Sequence, residues 1–298
     1  MQPKALLIGL GGIGENVYYP QLKYLNYDIT TVDKFNSNAD FENIENINDT
    51  FDVSIISTPN FTHHSYAKAV ADISKHVFVE KPGLPSADQW QEMCESFPNT
   101  RFYMCKNNLY RQDYGALQSF LDKMERPLSV EINWLNKDRI PSPGSWFTNK
   151  KQSWGGVAMD LFPHLYCYMS MLFPLHRLQR SSYSMCQQHH LQELIYLGNS
   201  TSYGKIDPNG TYNVCDFAKE TWMFNDSVPI TITASWKAGI DDQSIRIHTQ
   251  DSTYEWRFGL CPNPAYSTMI TECTQEDYKK HKELDYWIHK SLEVYHEG

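Results

Sequence analysis

Apolar residues fall in short unbroken runs in the first third of this chain and in alternation later, and the change of period divides it. The run ALLIGL (5–10) carries no charge and ends among glycines, the pattern of a strand buried on both faces. IGENVYYPQLKYL follows at helical spacing, with Pro20 expected to kink or interrupt the helix. DITTVD, DVSIIST (52–58), HVFVE (76–80) and RFYMC (101–105) repeat the short strand pattern, and Pro59 stops the second of these. HHSYAKAVADI and SADQWQEMCESF between them have helical spacing, the second with Ser86 as N-cap. Strands alternating with helices predict a parallel, doubly wound sheet.

After residue 115 the pattern is different. PLSVEINWL reads as a strand, and a tryptophan-bearing loop, PSPGSWFTNKKQSW, leads into GGVAMDLFPHLYCYMSMLF, an apolar helix. TYNVCDFAKETWMF, PITITASWKA, SIRIHTQ and STYEWRF are rich in β-branched and aromatic residues and separated by turn signals, so they predict hairpins of an antiparallel sheet. The end, TQEDYKKHKELDYWIHKSLEVY, predicts one helix. The fold class expected is α/β: a doubly wound parallel sheet over 1–115, then an α+β domain over 116–298 with a large, mostly antiparallel open sheet.

With 298 residues, 41% hydrophobic and 20% charged, the chain is long enough for one large domain or two ordinary ones. Its 26 Lys and Arg against 35 Asp and Glu leave a net charge of −9, the wrong sign for a non-specific nucleic-acid binder, and no basic run suits an anionic membrane. Seven scattered cysteines with no CxxC read as free thiols in a reducing compartment, with no zinc site or other metal expected. The apolar run at the start is too short for a signal peptide or a membrane span, so a soluble, cytoplasmic protein is expected.

The candidate chemistry sits where the predicted strands end. Gly9, Gly11 and Gly14 form GxGxxG between a strand and a helix, and Asp33 closes the next strand 19 residues later. In that setting the glycines let backbone approach a pyrophosphate, and the acid binds a ribose diol. A ligand of a doubly wound sheet binds beyond the carboxyl ends of its strands. Four groups fall there and form the expected cofactor site. They are Gly9, Gly11, Gly12, Ile13 and Gly14; Asp33; Ser57, Thr58, Pro59 and Asn60, with His63 just beyond; and Glu80, Lys81 and Pro82. In the later helix, Asp160 and His164 lie one turn apart on one face. A carboxylate and an imidazole in so apolar a helix need either a partner or a job. Trp146 and Trp154 suit either a sugar face or the core. His189 and His190 show no ligand-like partner and read as surface residues, and Lys150–Lys151 as a solvated pair.

In order along the chain, GLGGIGENVYYPQL, DVSIISTPNFTHHSYAKAV, KHVFVEKP and SWFTNKKQSWGGVAMDLFPH resemble the motifs of the glucose–fructose oxidoreductase, inositol dehydrogenase and rhizopine-catabolism group, Gfo/Idh/MocA. The likeness covers most of 1–175 and thins afterwards. It implies a dinucleotide-binding domain of Rossmann type, a substrate-binding and oligomerising second domain, and NAD as cofactor, with NADP possible. The Thr58-Pro59-Asn60 turn and the following His63 match the family's TPN turn and histidine. The likeness also implies a catalytic lysine, aspartate and histidine, carried by motif to Lys81, Asp160 and His164. The Lys81–Pro82 bond is cis in many members, and the second sheet commonly packs on another subunit, so a dimer or tetramer is expected.

Three departures stand out. The segment between Asp33 and Asp52 is short, so the second helix of the nucleotide half is largely missing. Phe162 and Pro163 stand where the family has a glycine after the aspartate and a residue before the histidine. Trp154 replaces the first glycine of a GGG. The expected activity is hydride transfer between nicotinamide and a carbinol or carbonyl of a sugar, cyclitol or related small molecule. Lys81, with His164, handles the proton, Asp160 orients them, and Trp146, Trp154, Lys81 and His164 contact the substrate. The rival expectations are a non-catalytic, cofactor-binding regulatory protein of the same fold and an NAD-dependent, glycosidase-like hydrolase.

Overall fold

The computed structural model describes residues 2–296 except 114, 116, 118–120, 122–125, 199–201 and 276. The chain forms two compact units, Met1–Arg111 with Pro262–Glu293, and Gln112–Cys261 with Val294–Gly298. In the first, β1 (Lys4–Ile8), β2 (Asp28–Val32), β3 (Phe51–Ile56), β4 (Ser74–Val79) and β5 (Arg101–Met104) form a five-stranded sheet in the order β2-β1-β3-β4-β5. Every pairing is parallel. Ala5 to Ile8 and Val53, Ile55 and Ile56 are buried, as a strand covered on both faces requires.

Pro20 does not break the first helix. A π-helical stretch, Gly14–Tyr18, runs into α1 (Tyr19–Tyr24), and Pro20 stands in the first turn of α1, where a missing N–H is tolerated. α2 (His63–Val70) and α3 (Ala87–Ser96) connect the later strands, and the Ser86 hydroxyl caps α3 by accepting from Gln89 N at 3.2 Å. Between β2 and β3 there is only the 3₁₀ turn Ile44–Asn46, so the missing helix is absent from the fold as well.

The second unit holds a six-stranded sheet. Its strands are β6 (Ser129–Leu135), β7 (Leu178–Cys186), β8 (Phe217–Phe224), β9 (Val228–Ser235), β10 (Asp242–His248) and β11 (Thr253–Arg257), ordered β11-β10-β6-β9-β8-β7. All pairs are antiparallel except β9 with β6, so the sheet is mixed and mostly antiparallel. The edge strand β7 has no expected counterpart: most of its residues are exposed and it lacks an apolar alternation to betray it. α4 (Val157–Leu172) packs on β6, β8 and β9 with an almost wholly buried set of side chains.

The chain then returns to the first unit as two helices, α5 (Pro264–Gln275), which has no expected counterpart, and α6 (Tyr278–Leu292), which falls within the helix expected over 274–295. The reason lies at the open edge of β5. An edge strand presents unpaired N–H groups that must be covered. Phe102 N donates to Tyr278 Oη at 3.0 Å and Met104 N to Asp285 Oδ2 at 3.1 Å, and Tyr103 Oη donates to the Cys273 carbonyl at 2.9 Å. Among the described residues no helix is long and apolar enough to cross a membrane.

Candidate functional site

In the first unit the glycine turn follows β1 directly. Gly9 has φ +94°, and a Cβ there would stand 2.7 Å from the Ser57 carbonyl oxygen. At Gly14 it would stand 1.9 Å from the Gly9 oxygen, so these two positions admit no side chain. Gly11 and Gly12 differ: an added Cβ would meet nothing within 4 Å, so the crest of the turn is open. Ile13, half-buried, leads from that crest into the π-helical stretch. Ser57 braces the turn from the end of β3, its hydroxyl donating to Gly9 O at 2.8 Å. Asp33 sits at the end of β2, as expected. Its carboxylate accepts from Leu10 N at 2.7 Å, Phe35 N at 2.7 Å and Asn36 N at 2.9 Å. A carboxylate offers about four acceptor positions, so roughly one is left for a ribose hydroxyl. An open glycine crest beside a strand-end carboxylate fits the diphosphate and ribose of a dinucleotide.

The turn after β3 holds the next group of expected cofactor residues, and Pro59 has a different place in it from the one the sequence suggests. Pro59 is half-buried and extended, at φ −59° and ψ 144°, and the 3₁₀ turn Asn60–Thr62 starts directly behind it. Its carbonyl accepts from Thr62 N at 2.9 Å and from the Thr62 hydroxyl at 2.7 Å. Having no N–H, it offers a phosphate or ribose no donor, and its carbonyl is engaged within the turn. Pro59 therefore shapes the turn rather than supplying a polar contact to a cofactor. Thr58, also half-buried, has its Oγ1 2.7 Å from the Thr62 hydroxyl oxygen.

The loop after β4 carries Glu80, Lys81 and Pro82, with the Lys81–Pro82 bond cis. Glu80 is buried and turned inward, accepting from the Tyr18 hydroxyl and, at 3.1 Å, from Lys81 N. It ties the loop to the helix behind the glycine turn. Asn60 is buried, and His63 is fully buried. The imidazole of His63 lies 2.9 Å from the Thr58 oxygen through Nε2 and 2.8 Å from the Gly83 oxygen through Nδ1. It is buried between two strand-end loops rather than lying open to a cofactor, and as a neutral ring it donates its one N–H to one of the two carbonyls.

Burial, reinforced by the charge of Lys81, holds His63 down at about 4, against the pull of the two carbonyls. The unfolded chain takes up this proton as pH falls below about 6.5, and the folded chain does so only near 4. Stability is therefore lost on acidification through that window. We expect His63 to account for about 2 kcal/mol of loss between pH 7 and 5. Urea midpoints at both pH values, in wild type and His63→Asn, check this. An equal loss in the two would mean that His63 is not a neutral brace.

Sequence reasoning missed the groups that α6 brings to the same unit. Lys106, 1% exposed at the end of β5, donates to the Met104 oxygen at 3.0 Å and pairs with Asp285. Burial pushes the Asp285 carboxyl above the usual range while Lys106 pulls it down. A lysine at a strand end was visible; its partner, far along the chain, was not.

In the second unit Gly156, at φ +67°, leads into α4, and a Cβ there would strike the Cys215 oxygen at 2.3 Å. Val157 N donates to that oxygen at 2.9 Å. The helix continues through Pro163, which removes the N–H that the Met159 carbonyl would accept. Asp160 and His164 are half-buried. Asp160 Oδ2 accepts from Trp236 Nε1 at 2.9 Å, and the His164 ring lies 5.2 Å from that of Trp134. The opposite side of α4 is anchored by Glu220, a fully buried carboxylate. It accepts from Tyr166 at 2.9 Å, Tyr295 at 2.7 Å and Trp222 at 2.6 Å, and pairs with Arg180 at 3.1 Å.

The two tryptophans separate. Trp146 is half-buried and stacks on Phe147 with centroids 3.8 Å apart. Trp154 is only 9% exposed and left-handed at φ +70°, its ring near His296, so it is packed inward. His189 has a partner after all: Asp216 Oδ2 lies 3.1 Å from its Nδ1 and also accepts from Tyr212. Among the described residues, no group of three or more His, Cys, Asp or Glu could hold a metal ion.

The fold and the glycine turn define a dinucleotide-binding unit joined to a mixed-sheet domain. Residues 4–102 match the model of an oxidoreductase family with an NAD-binding Rossmann fold, and residues 123–255 match the GFO/IDH/MocA C-terminal domain. The chain belongs to the GFO/IDH/MocA oxidoreductase family, whose cofactor is a nicotinamide dinucleotide. A curated relative, the putative UDP-kanosamine synthase oxidoreductase subunit of Amycolatopsis mediterranei, is 24% identical over 219 residues. That match takes in 71% of this chain, and the chain spans 60% of the relative's length. Among solved structures, the WlbA dehydrogenase from Bordetella pertussis, in complex with NADH and UDP-GlcNAcA, superposes with a TM-score of 0.72 at 13% identity, covering 99% of this chain and 95% of that one. A 3-ketoreductase from Actinomadura kijaniata, in complex with NADP and TDP-benzene, does so at 0.75 and 12%, covering 99% and 97%. At these identities the likeness is one of fold.

Proposed function

We propose that this chain is an NAD(P)-dependent dehydrogenase or reductase acting at a carbinol or carbonyl of a sugar, and that a nucleotide-linked sugar is the substrate class to test first. The observation that carries the reading is Lys81, at the carboxyl edge of the sheet that bears the open glycine turn. Bound nicotinamide would supply or take up the hydride. Gly9 to Gly14 would hold the diphosphate and Asp33 the ribose. The Lys81 amine takes the proton from the substrate hydroxyl in oxidation and returns it to the carbonyl oxygen in reduction. By the family's motif, Asp160 and His164 are the second unit's candidate residues for the reaction, and within that unit the Trp236 indole holds the Asp160 carboxylate in place. The sugar-nucleotide class is drawn from the relative and neighbours named above. NADH fluorescence across a panel of UDP- and TDP-sugars and free sugars, in both directions, tests the reading. Turnover with at least one member is expected, and no change across the panel would overturn it.

Asp33 presents a carboxylate beside the proposed ribose position, with roughly one acceptor left. A 2′-phosphate there would meet like charge, whereas a free diol finds an acceptor. NADH is expected to bind about tenfold or more tightly than NADPH, a difference of ~1.4 kcal/mol. Fluorescence titration with both cofactors checks it, and tighter NADPH binding would remove Asp33 from the ribose.

A further inference from the structure

The peptide that joins Gly83 to Leu84, two residues beyond Lys81, lies between two histidines. Its carbonyl, on Gly83, faces His63 Nδ1 at 2.8 Å, and its N–H, on Leu84, donates to His289 Nε2 at 3.0 Å. His289 comes from α6 and is 2% exposed. Because Nε2 accepts, the ring proton belongs on Nδ1, which lies 2.6 Å from the Asp285 carbonyl oxygen. The ring stacks on Trp90 with centroids 4.5 Å apart. It also fills the space under Gly83: a Cβ there would stand 2.2 Å from Nε2, and Gly83 has φ +86°. The ring, the glycine and the acceptor nitrogen therefore fit as a set. The same helix is fixed to β5 through Asp285, whose carboxylate accepts from Met104 N.

We propose that His289 is a positioning residue for Lys81. It holds the Gly83–Leu84 peptide in one orientation, with His63 at the carbonyl end, so the loop delivers the lysine amine to a fixed place. This rests on the reading of Lys81 as the proton-transferring group. The chemistry required of residue 289 is narrow: an uncharged acceptor at the reach of Nε2, on a helix locked to the sheet. Nothing in the local sequence around WIHKSL marks it, because its function is set by a loop at the other end of the chain.

Two substitutions of similar length and good helix propensity separate this role from packing. His289→Gln keeps an acceptor oxygen near the Nε2 position, and His289→Met removes it. Three measurements on the full chain are compared. The first is hydrogen exchange at the Leu84 amide. It is expected to be about tenfold or more faster in His289→Met and close to wild type in His289→Gln. The second is acetylation of Lys81 by acetic anhydride, followed by mass spectrometry across pH; its profile is expected to shift in His289→Met and to track wild type in His289→Gln. The third is turnover on the sugar nucleotide found active in the panel. It is expected to fall roughly 10- to 100-fold in His289→Met through kcat, with NADH binding retained and with recovery in His289→Gln. A purely structural role would lower the denaturation midpoint of both variants and leave the Lys81 acetylation profile unmoved, which would overturn the proposal. If Lys81→Ala loses turnover while His289→Met keeps it, the clamp alone fails. If Lys81→Ala keeps turnover, the reading of Lys81 fails and the proposal falls with it.

Discussion

Replacing Lys81 by alanine is expected to lower kcat by about 10²–10⁴-fold, the usual loss when a general acid–base group is removed. NADH binding should change little, because the main chain around residue 81 is held by other groups. Glu80 N donates to the Ile56 oxygen and Gly83 N to the Glu80 oxygen, each at 2.9 Å. The Glu80 carboxylate accepts from Lys81 N itself, so the loop keeps its anchors when the side chain is gone. Lys81→Arg is expected to restore little, since a guanidinium does not give up its proton in this pH range. Steady-state rates on the active sugar nucleotide, with NADH titration of each variant, decide it. A near-normal kcat in Lys81→Ala would remove the residue from the reaction.

Asp285→Ala is expected to destabilise the fold by about 3–5 kcal/mol, because it strips the carboxylate from a lysine that stays buried. Both partners are within 1% of fully buried. The substitution also takes the acceptor from Met104 N at the edge of β5. The pair itself need not be strongly stabilising, because drawing two charges out of water offsets most of their attraction. The double variant Lys106→Met/Asp285→Leu is therefore expected to recover most of the loss. Chemical denaturation of the two variants and the wild type measures both quantities. A single-variant loss under about 1 kcal/mol would mean that the ammonium finds other compensation.

Much of the first unit was legible because its information is local. A glycine turn must follow a strand and precede a helix, and GLGGIG states that in six residues. Pro20 misled because a π-helical turn, which no propensity reports, shifts the proline into the first turn of α1. β7 was missed because an edge strand with mostly exposed side chains needs no apolar alternation. The expected C-terminal helix is α6, whereas α5, just before it, was missed: it is rich in threonine and serine, which weakens a helical signal.

For the site the division is similar. Asp33, Ser57, Glu80, Lys81, Asp160 and His164 stand out as candidates from motif, spacing and family resemblance, since each lies near a strand end or on the early turns of a helix. Pro59 was visible as the stop of β3, but a strand-end position does not say whether a residue touches a ligand or only turns the chain. The sequence alone determined which strands form the parallel sheet, where its carboxyl ends fall and which residues stand there. Only the tertiary structure decided that His63 and Glu80 turn inward as braces, that the Pro59 carbonyl is taken up by Thr62, and that Trp154 packs inward. It also decided that α6 supplies Asp285 to Lys106 and His289 to the loop behind Lys81. Those last pairings join positions about two hundred residues apart. A one-dimensional pattern records how often apolar residues recur along the chain, but not which distant acceptor completes a buried donor.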